Sequence, residues 1–163
     1  MGMADRKRLI VGADHGGREL LGFLKAVLKK GRYEVVDVTP AGEGSIDYPD
    51  VAIDVARRIS SGEFDRGILV CGTGIGMSMV ANRFPNVRAT LVHDAYTAEM
   101  SRRHNDSNIL VLGGRTTGFG TAEQILKIWL KTKFDGDKPG GERHRRRLNI
   151  LKRLDSGIKV PSE

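Results

Sequence analysis

Leu69-Val70-Cys71-Gly72-Thr73-Gly74-Ile75-Gly76-Met77-Ser78 is the stretch on which the chain turns. An apolar run, Gly67 to Val70, enters it as a buried strand would, and a helical pattern, Met77 to Asn82, leaves it. Between them stand three glycines at alternate positions and the only cysteine of the 163 residues. Glycine lets the backbone turn tightly and present N–H groups to a ligand. A helix N-terminus just beyond favours negative charge at the same place. A thiol there is expected to have its pKa lowered. The turn thus predicts an anion site and a base within reach of each other. Two better-known glycine loops are excluded. Gly72 and Gly74 begin a G-x-G-x-x-G pattern, but Met77 holds its third place, and no Gly-Lys-Ser/Thr run exists. By itself the thiol also fits a small buried hydrophobe at a strand end.

Outward from this turn, strand and helix signals alternate. Leu9 to Ala13 reads as a first buried strand, followed by Asp14-His15-Gly16-Gly17. Leu20, Leu24, Val27 and Leu28 fall at helical spacing, so Arg18 to Lys30 is a helix, with Gly31 as its C′ residue. Glu34 to Val38 is a second strand, and Thr39 to Pro49 a loop. Asp50 to Ser61 is a helix carrying Val51, Val55 and Ile59 on one face, stopped by Gly62. Strands follow at Arg66 to Val70, Arg88 to Val92 and Ile109 to Leu112, with Asp94 a candidate helix cap. Ala122, Ile125, Leu126, Trp129 and Leu130 mark the helix beyond. Such alternation predicts a three-layer, Rossmann-like α/β domain with an open parallel five-stranded sheet. In the order 2-1-3-4-5, strands 1 and 3 flank the switch point, where ligands sit beyond the carboxyl ends. Asp14-His15 and Cys71-Gly72-Thr73 would then share one crevice. Residues 1–134 form this domain. A Gly/Asp/Pro break, Asp135 to Gly141, leads to an added basic helix, Glu142 to Asp155, and a frayed tail. This 135–163 segment is expected to pack on the same domain or on a partner subunit.

A single cysteine excludes an internal disulfide and a Cys-rich metal site. Met1 to Arg8 is charged and resembles no signal peptide. No apolar run approaches the ~20 residues of a membrane span. A soluble, cytoplasmic protein is expected. The formal charge of +7 suits nucleic acid or a small anionic substrate. Aromatic residues are sparse, and none sits within Arg143-His144-Arg145-Arg146-Arg147, which argues against base stacking. Arg143 and Arg147, four apart, share a helix face. Arg145 and Arg146 read as solvated surface. His104, near the end of the fourth helix, would by itself merely complement the helix dipole. His93 and His144 gain no role from spacing.

Several motifs in order resemble one family, ribose-5-phosphate isomerase of type B with the related galactose-6-phosphate isomerase subunits. They are Gly12-Ala13-Asp14-His15-Gly16-Gly17, Asp47-Tyr48-Pro49, Cys71-Gly72-Thr73-Gly74-Ile75-Gly76, Ala81-Asn82-Arg83, Ser101-Arg102-Arg103-His104-Asn105-Asp106, Gly113-Gly114-Arg115 and Arg143-His144 with Arg147. The likeness runs from the first strand through Arg147. It implies Cys71 as proton acceptor and His104 as proton donor in ring opening, with Thr73 and Asp14 close by. It implies sugar contacts at Asp14, His15, Gly72, Thr73, Gly74, Ile75, Gly76 and Asn105, a pocket wall at Tyr48, and phosphate contacts at Arg115, Arg143 and Arg147. A second branch of the family uses a glutamate at the helix start. Met77 stands there and takes no proton, which leaves Cys71.

The implied reaction interconverts ribose 5-phosphate and ribulose 5-phosphate through a cis-enediolate. It needs no cofactor, nicotinamide or metal. The alternative substrate is a six-carbon phosphosugar such as galactose 6-phosphate or allose 6-phosphate. Members are homodimers or dimers of dimers with sites built from two chains. A nucleic-acid-binding module using Arg143 to Arg147 would leave Cys71 and His104 without a task. A phosphosugar-binding regulator would show no turnover.

Overall fold

The computed structural model describes residues 7–42 and 44–157. Residues 1–6, within the charged start, and the tail 158–163 lie outside the described residues. Five strands, β1 (Arg8–Ala13), β2 (Glu34–Asp37), β3 (Gly67–Cys71), β4 (Ala89–Leu91) and β5 (Ile109–Gly113), pair in parallel throughout. The α/β class is the one expected, but the order is β2-β1-β3-β5-β4, not 2-1-3-4-5. Burial explains the exchange. β5 is covered along its whole length, whereas β4 has three residues, two of them half-exposed. A continuously apolar strand needs cover on both faces, and a short one makes a safe edge. β5 therefore takes the inner place that chain order would give to β4.

Helices α1 (Arg18–Lys30), α4 (Ala95–Arg103) and α5 (Phe119–Lys131) cover one face, and α2 (Tyr48–Ser60) and α3 (Ile75–Ala81) the other. Side chains alternate along each strand. Leu9, Val11, Ile68, Val70, Leu110 and Leu112 pack under the first group around Trp129. Ile10, Leu69, Cys71, Ile109 and Val111 pack under the second. The Trp129 indole N–H reaches Ser107 Oγ at 3.3 Å, and Arg66 and Arg102 lie over its ring. The final helix, α6 (Glu142–Asp155), joins neither face. It packs on a 3-10 turn at Asp135–Asp137, and its far end reaches the loop before β4, where Asn86 N–H donates to Asp155 Oδ2 at 2.8 Å. No helix among the described residues is long and apolar enough to cross a membrane.

Element ends follow local chemistry. α2 starts at Tyr48, ahead of the expected Asp50, because proline is at home in a first helical turn. α3 starts at Ile75, which puts Gly76 inside it. Gly31 is not the left-handed residue after α1. Arg32 takes that conformation, with φ 61°. Gly62 does close α2 at φ 78°, and Asp94 caps α4 by accepting from Thr97 N at 2.7 Å.

Candidate active site

The neighbouring carboxyl ends of β1, β3 and β5 hold the first group of residues. Ala13 pairs with Val70, and Cys71 with Gly113. The loop after β1 lies directly on the turn after β3. A Cβ at Gly17 would come within 2.1 Å of Val70 O, and one at Gly16 within 3.1 Å of Gly72 N. Only glycine permits that approach. Buried Asp14 closes the loop through Oδ1, which accepts from Gly16 N at 2.8 Å and Gly17 N at 3.0 Å. Its Oδ2 has no hydrogen-bond partner among the described residues.

Cys71 is the last residue of β3 and 5% exposed. It packs with Met77 and Val111, yet its Sγ accepts the Gly74 amide at 3.1 Å. Gly74 has φ 79°, the left-handed conformation that turns this N–H back onto the sulfur. The thiol is thus both core neighbour and hydrogen-bonded group. α3 has seven residues, so local amides rather than a long helix dipole supply the positive end. Among the described residues the amides of Gly72, Thr73 and Gly76 have no acceptor, and so can serve a ligand oxygen. Exposed Thr73 accepts weakly from Ile75 N at 3.4 Å. The Tyr48 ring, 40% exposed, lies against Gly76, where an added Cβ would meet it at 2.6 Å. His15 is exposed, and its Nδ1 accepts Ile46 N at 3.3 Å. Arg115 follows β5. Its amide bonds Gly72 O at 3.0 Å, and its guanidinium would touch a Cβ on Gly72 at 3.6 Å. Asp14, His15, Tyr48, the turn Cys71 to Gly76 and Arg115 are therefore one constellation.

His104, Asn105, Arg143 and Arg147 are not part of it. α4 begins beyond the carboxyl end of β4 and runs back along the sheet, nine residues or about 13 Å at helical rise. His104, its C-cap, therefore lies at the amino end. Asn108, four residues on, accepts Gly67 N at 2.9 Å, where β3 starts. There His104 stacks on His144, with ring centroids 4.4 Å apart and planes 9° from parallel. Arg143 Nε donates to His144 Nε2 at 3.2 Å. Arg143 and Arg147 are exposed on α6, flanking the buried His144. Burial, then the charges of His104, Arg143 and Arg147, hold the His144 pKa below the usual imidazole value, while Asp135 opposes them. Asp135 is pulled down to about 2 by its bonds from Lys138 and Arg103. His144 is the residue that spacing missed. The available signal was its place four before Leu148, which marks the inward face of α6. Arg145 is exposed, as expected, and from the surface it bonds Gly136 O and Asp137 Oδ1, the turn that α6 packs on.

A roomy cavity of about 890 Å³ also lies at the amino end, beside α6. Most of its cations are already engaged. Arg88 and Arg102 share Asp106, and Arg145 holds Asp137. Neither Cys71 nor Asp14 lines it, so volume alone does not locate the chemistry.

The sequence pattern of the Ribose/Galactose Isomerase family matches residues 9–151. A solved structure of ribose-5-phosphate isomerase B from Clostridium thermocellum is 43% identical. It covers 92% of this chain and 98% of its own, with a TM-score of 0.86. Ribose-5-phosphate isomerase B of Escherichia coli is 36% identical over 91% of this chain and 97% of its own. D-erythrulose-4-phosphate isomerase of Pectobacterium atrosepticum is 39% identical over 78% and 85%. A match that spans every strand, the turn at Cys71 and most of α6 places this chain in the Ribose/Galactose Isomerase family.

Proposed function

We propose that the protein interconverts ribose 5-phosphate and ribulose 5-phosphate, with Cys71 as the base. The observation that carries this reading is the turn itself. A sulfur that accepts an amide at 3.1 Å stands beside unpaired backbone donors, a free carboxylate oxygen and a guanidinium. Ring opening breaks the bond from C1 to the ring oxygen. His104 protonates that oxygen, Asp14 Oδ2 takes the C1 hydroxyl proton, and Thr73 lies beside the opened carbonyl. The Cys71 thiolate then removes the C2 proton, and the electron pair moves to give a cis-enediolate. The proton returns to C1. Amides of Gly72 to Gly76 face the developing oxyanion, where preorganised donors act best. A general base of this kind contributes on the order of 10²–10⁴ in rate. The buried thiol environment limits competition from water without closing the turn, because Gly72 and Thr73 next to it are open to solvent.

The distribution of residues favours a site made from two chains. Cys71 and Arg115 stand at one end of the sheet, and His104, Asn105, Arg143 and Arg147 at the other. A homodimer, alone or paired further, brings the partner's amino end to this chain's carboxyl end. The partner's arginines then hold the phosphate with Arg115 while this chain's Cys71 acts at C2.

Incubation with ribose 5-phosphate in deuterated water tests the reaction. The expected result is ribulose 5-phosphate, with deuterium at C2 of recovered aldose. Binding without product or label would leave a phosphosugar-binding protein instead. Four- and six-carbon phosphosugars run in parallel decide the chain length, since the family and its relatives act on more than one.

A further inference from the structure

We infer that His144 is a positioning residue of the isomerase site, one ring that holds His104 by its face and Arg143 by its edge. The inference rests on the isomerase reading above. The His104 ring makes no hydrogen bond among the described residues, so its stack on His144 at 4.4 Å is what fixes its plane. Arg143 gives its Nε–H to His144 Nε2 at 3.2 Å, and its two Nη groups, without a partner among the described residues, stay available to a phosphate. A ring that accepts at Nε2 carries its proton on Nδ1, and that atom is buried with no partner among the described residues. A buried polar atom left unpaired calls for an explanation. Phenylalanine would fill the same place and stack as well without it. What phenylalanine lacks is the acceptor for Arg143.

The charges around the ring keep it in that form. His104 from α4, Arg143 and Arg147 from α6 and Arg103 with its partner Asp135 all lie near it. Burial and the cations depress protonation, so Nε2 stays an acceptor.

Ribulose 5-phosphate supplies a clean test. Its C5 oxygen carries the phosphate, so the ketose has no ring form. Exchange of its C1 hydrogen with solvent needs the base but no ring opening. His144→Ala and His144→Phe are measured for conversion of ribose 5-phosphate and for C1 exchange of ribulose 5-phosphate in deuterated water. His144→Ala is expected to lower kcat for the aldose on the order of 10–100-fold, through misplacement of His104. It also raises KM, and its saturated C1 exchange stays within about twofold of the parent. His144→Phe keeps the stack, so kcat recovers while the raised KM remains. Equal loss of conversion and exchange in both variants assigns His144 to packing alone and overturns the proposal. So does parental kcat and KM in both. A parent protein that performs neither reaction removes the isomerase reading itself, before any variant is made.

Discussion

At the carboxyl end of the sheet, functional groups are held by backbone. The loops after β1 and β3 touch through Gly16, Gly17 and Gly72, and the Cys71 sulfur is addressed by the Gly74 amide. At the amino end, groups are held by side chains. His104 is stacked on His144, Arg143 bonds His144, α6 is tied down by Arg145 and Asp155, and Asp135 ties the turn beneath it to Arg103 of α4. Under the proposed mechanism, backbone contacts suit the place where a proton would leave carbon, because amides cannot swing away, and side-chain contacts suit a proposed phosphate grip, which would tolerate small movement.

Removing the sulfur should produce the largest effect. Cys71→Ala is expected to lose on the order of 10²–10⁴ in kcat, together with C1 exchange. Turnover near the parental value would remove Cys71 from the mechanism. The same variant sharpens the comparison when mixed with His104→Ala. In the proposed two-chain site each variant alone is nearly inactive, but a mixed dimer would hold one intact site, so about a quarter of parental activity is expected to return on random exchange of subunits. No recovery would put both groups of one site on a single chain.

Next in size is a backbone change. Gly17→Ala drives a Cβ to 2.1 Å from Val70 O. It should cost on the order of 3 kcal/mol by overpacking, read as a lower midpoint in urea. A midpoint like the parent's would break the claim that these two loops are held by close approach. By contrast, Arg147→Ala at the amino end should leave the midpoint alone, since surface changes stay within about 0.5 kcal/mol. It should instead raise KM about 10–100-fold, the size of one charge-assisted contact of about 1.5–3 kcal/mol. Unchanged KM would take Arg147 out of the phosphate grip.

The smallest effect is acid loosening, and it should begin at the amino end. The folded pKa of His144 lies below 6.5. The unfolded state then binds more protons as pH falls through 6.5, so the contribution of His144 is present above that value and lost below it. Asp135, lowered from 3.8 to about 2, contributes above 3.8 and fades as pH drops toward 2. Protection of the α6 amides against hydrogen exchange should therefore fall before that of the β3 amides as pH drops from about 7 toward about 2. Equal pH dependence at both ends would contradict this.

What could be read beforehand follows the same division. The strands and α1 were legible because each is a local run or period of apolar residues, α6 because a basic stretch follows a Gly/Asp/Pro break, and Gly72-Thr73-Gly74-Ile75-Gly76 because a turn needs glycine where it turns. The meeting of Asp14 with Cys71 needed only that β1 and β3 be neighbours. The exchange of β4 and β5 was not legible, because it depends on which strand both helical layers cover. His144 was missed for the same reason. An inward-facing histidine looks like any other until the residue across from it, from a distant helix, is known.

By itself, then, the amino-acid chain determined its secondary elements, the α/β class and the cysteine turn, since these arise from short-range periodicity and backbone freedom. Only the tertiary structure decided that β5 lies inside β4, that His104 and the α6 arginines stand at the far end of the sheet from Cys71, and that His144 joins them. Those facts depend on burial and on contacts between segments remote in sequence, which no local pattern encodes.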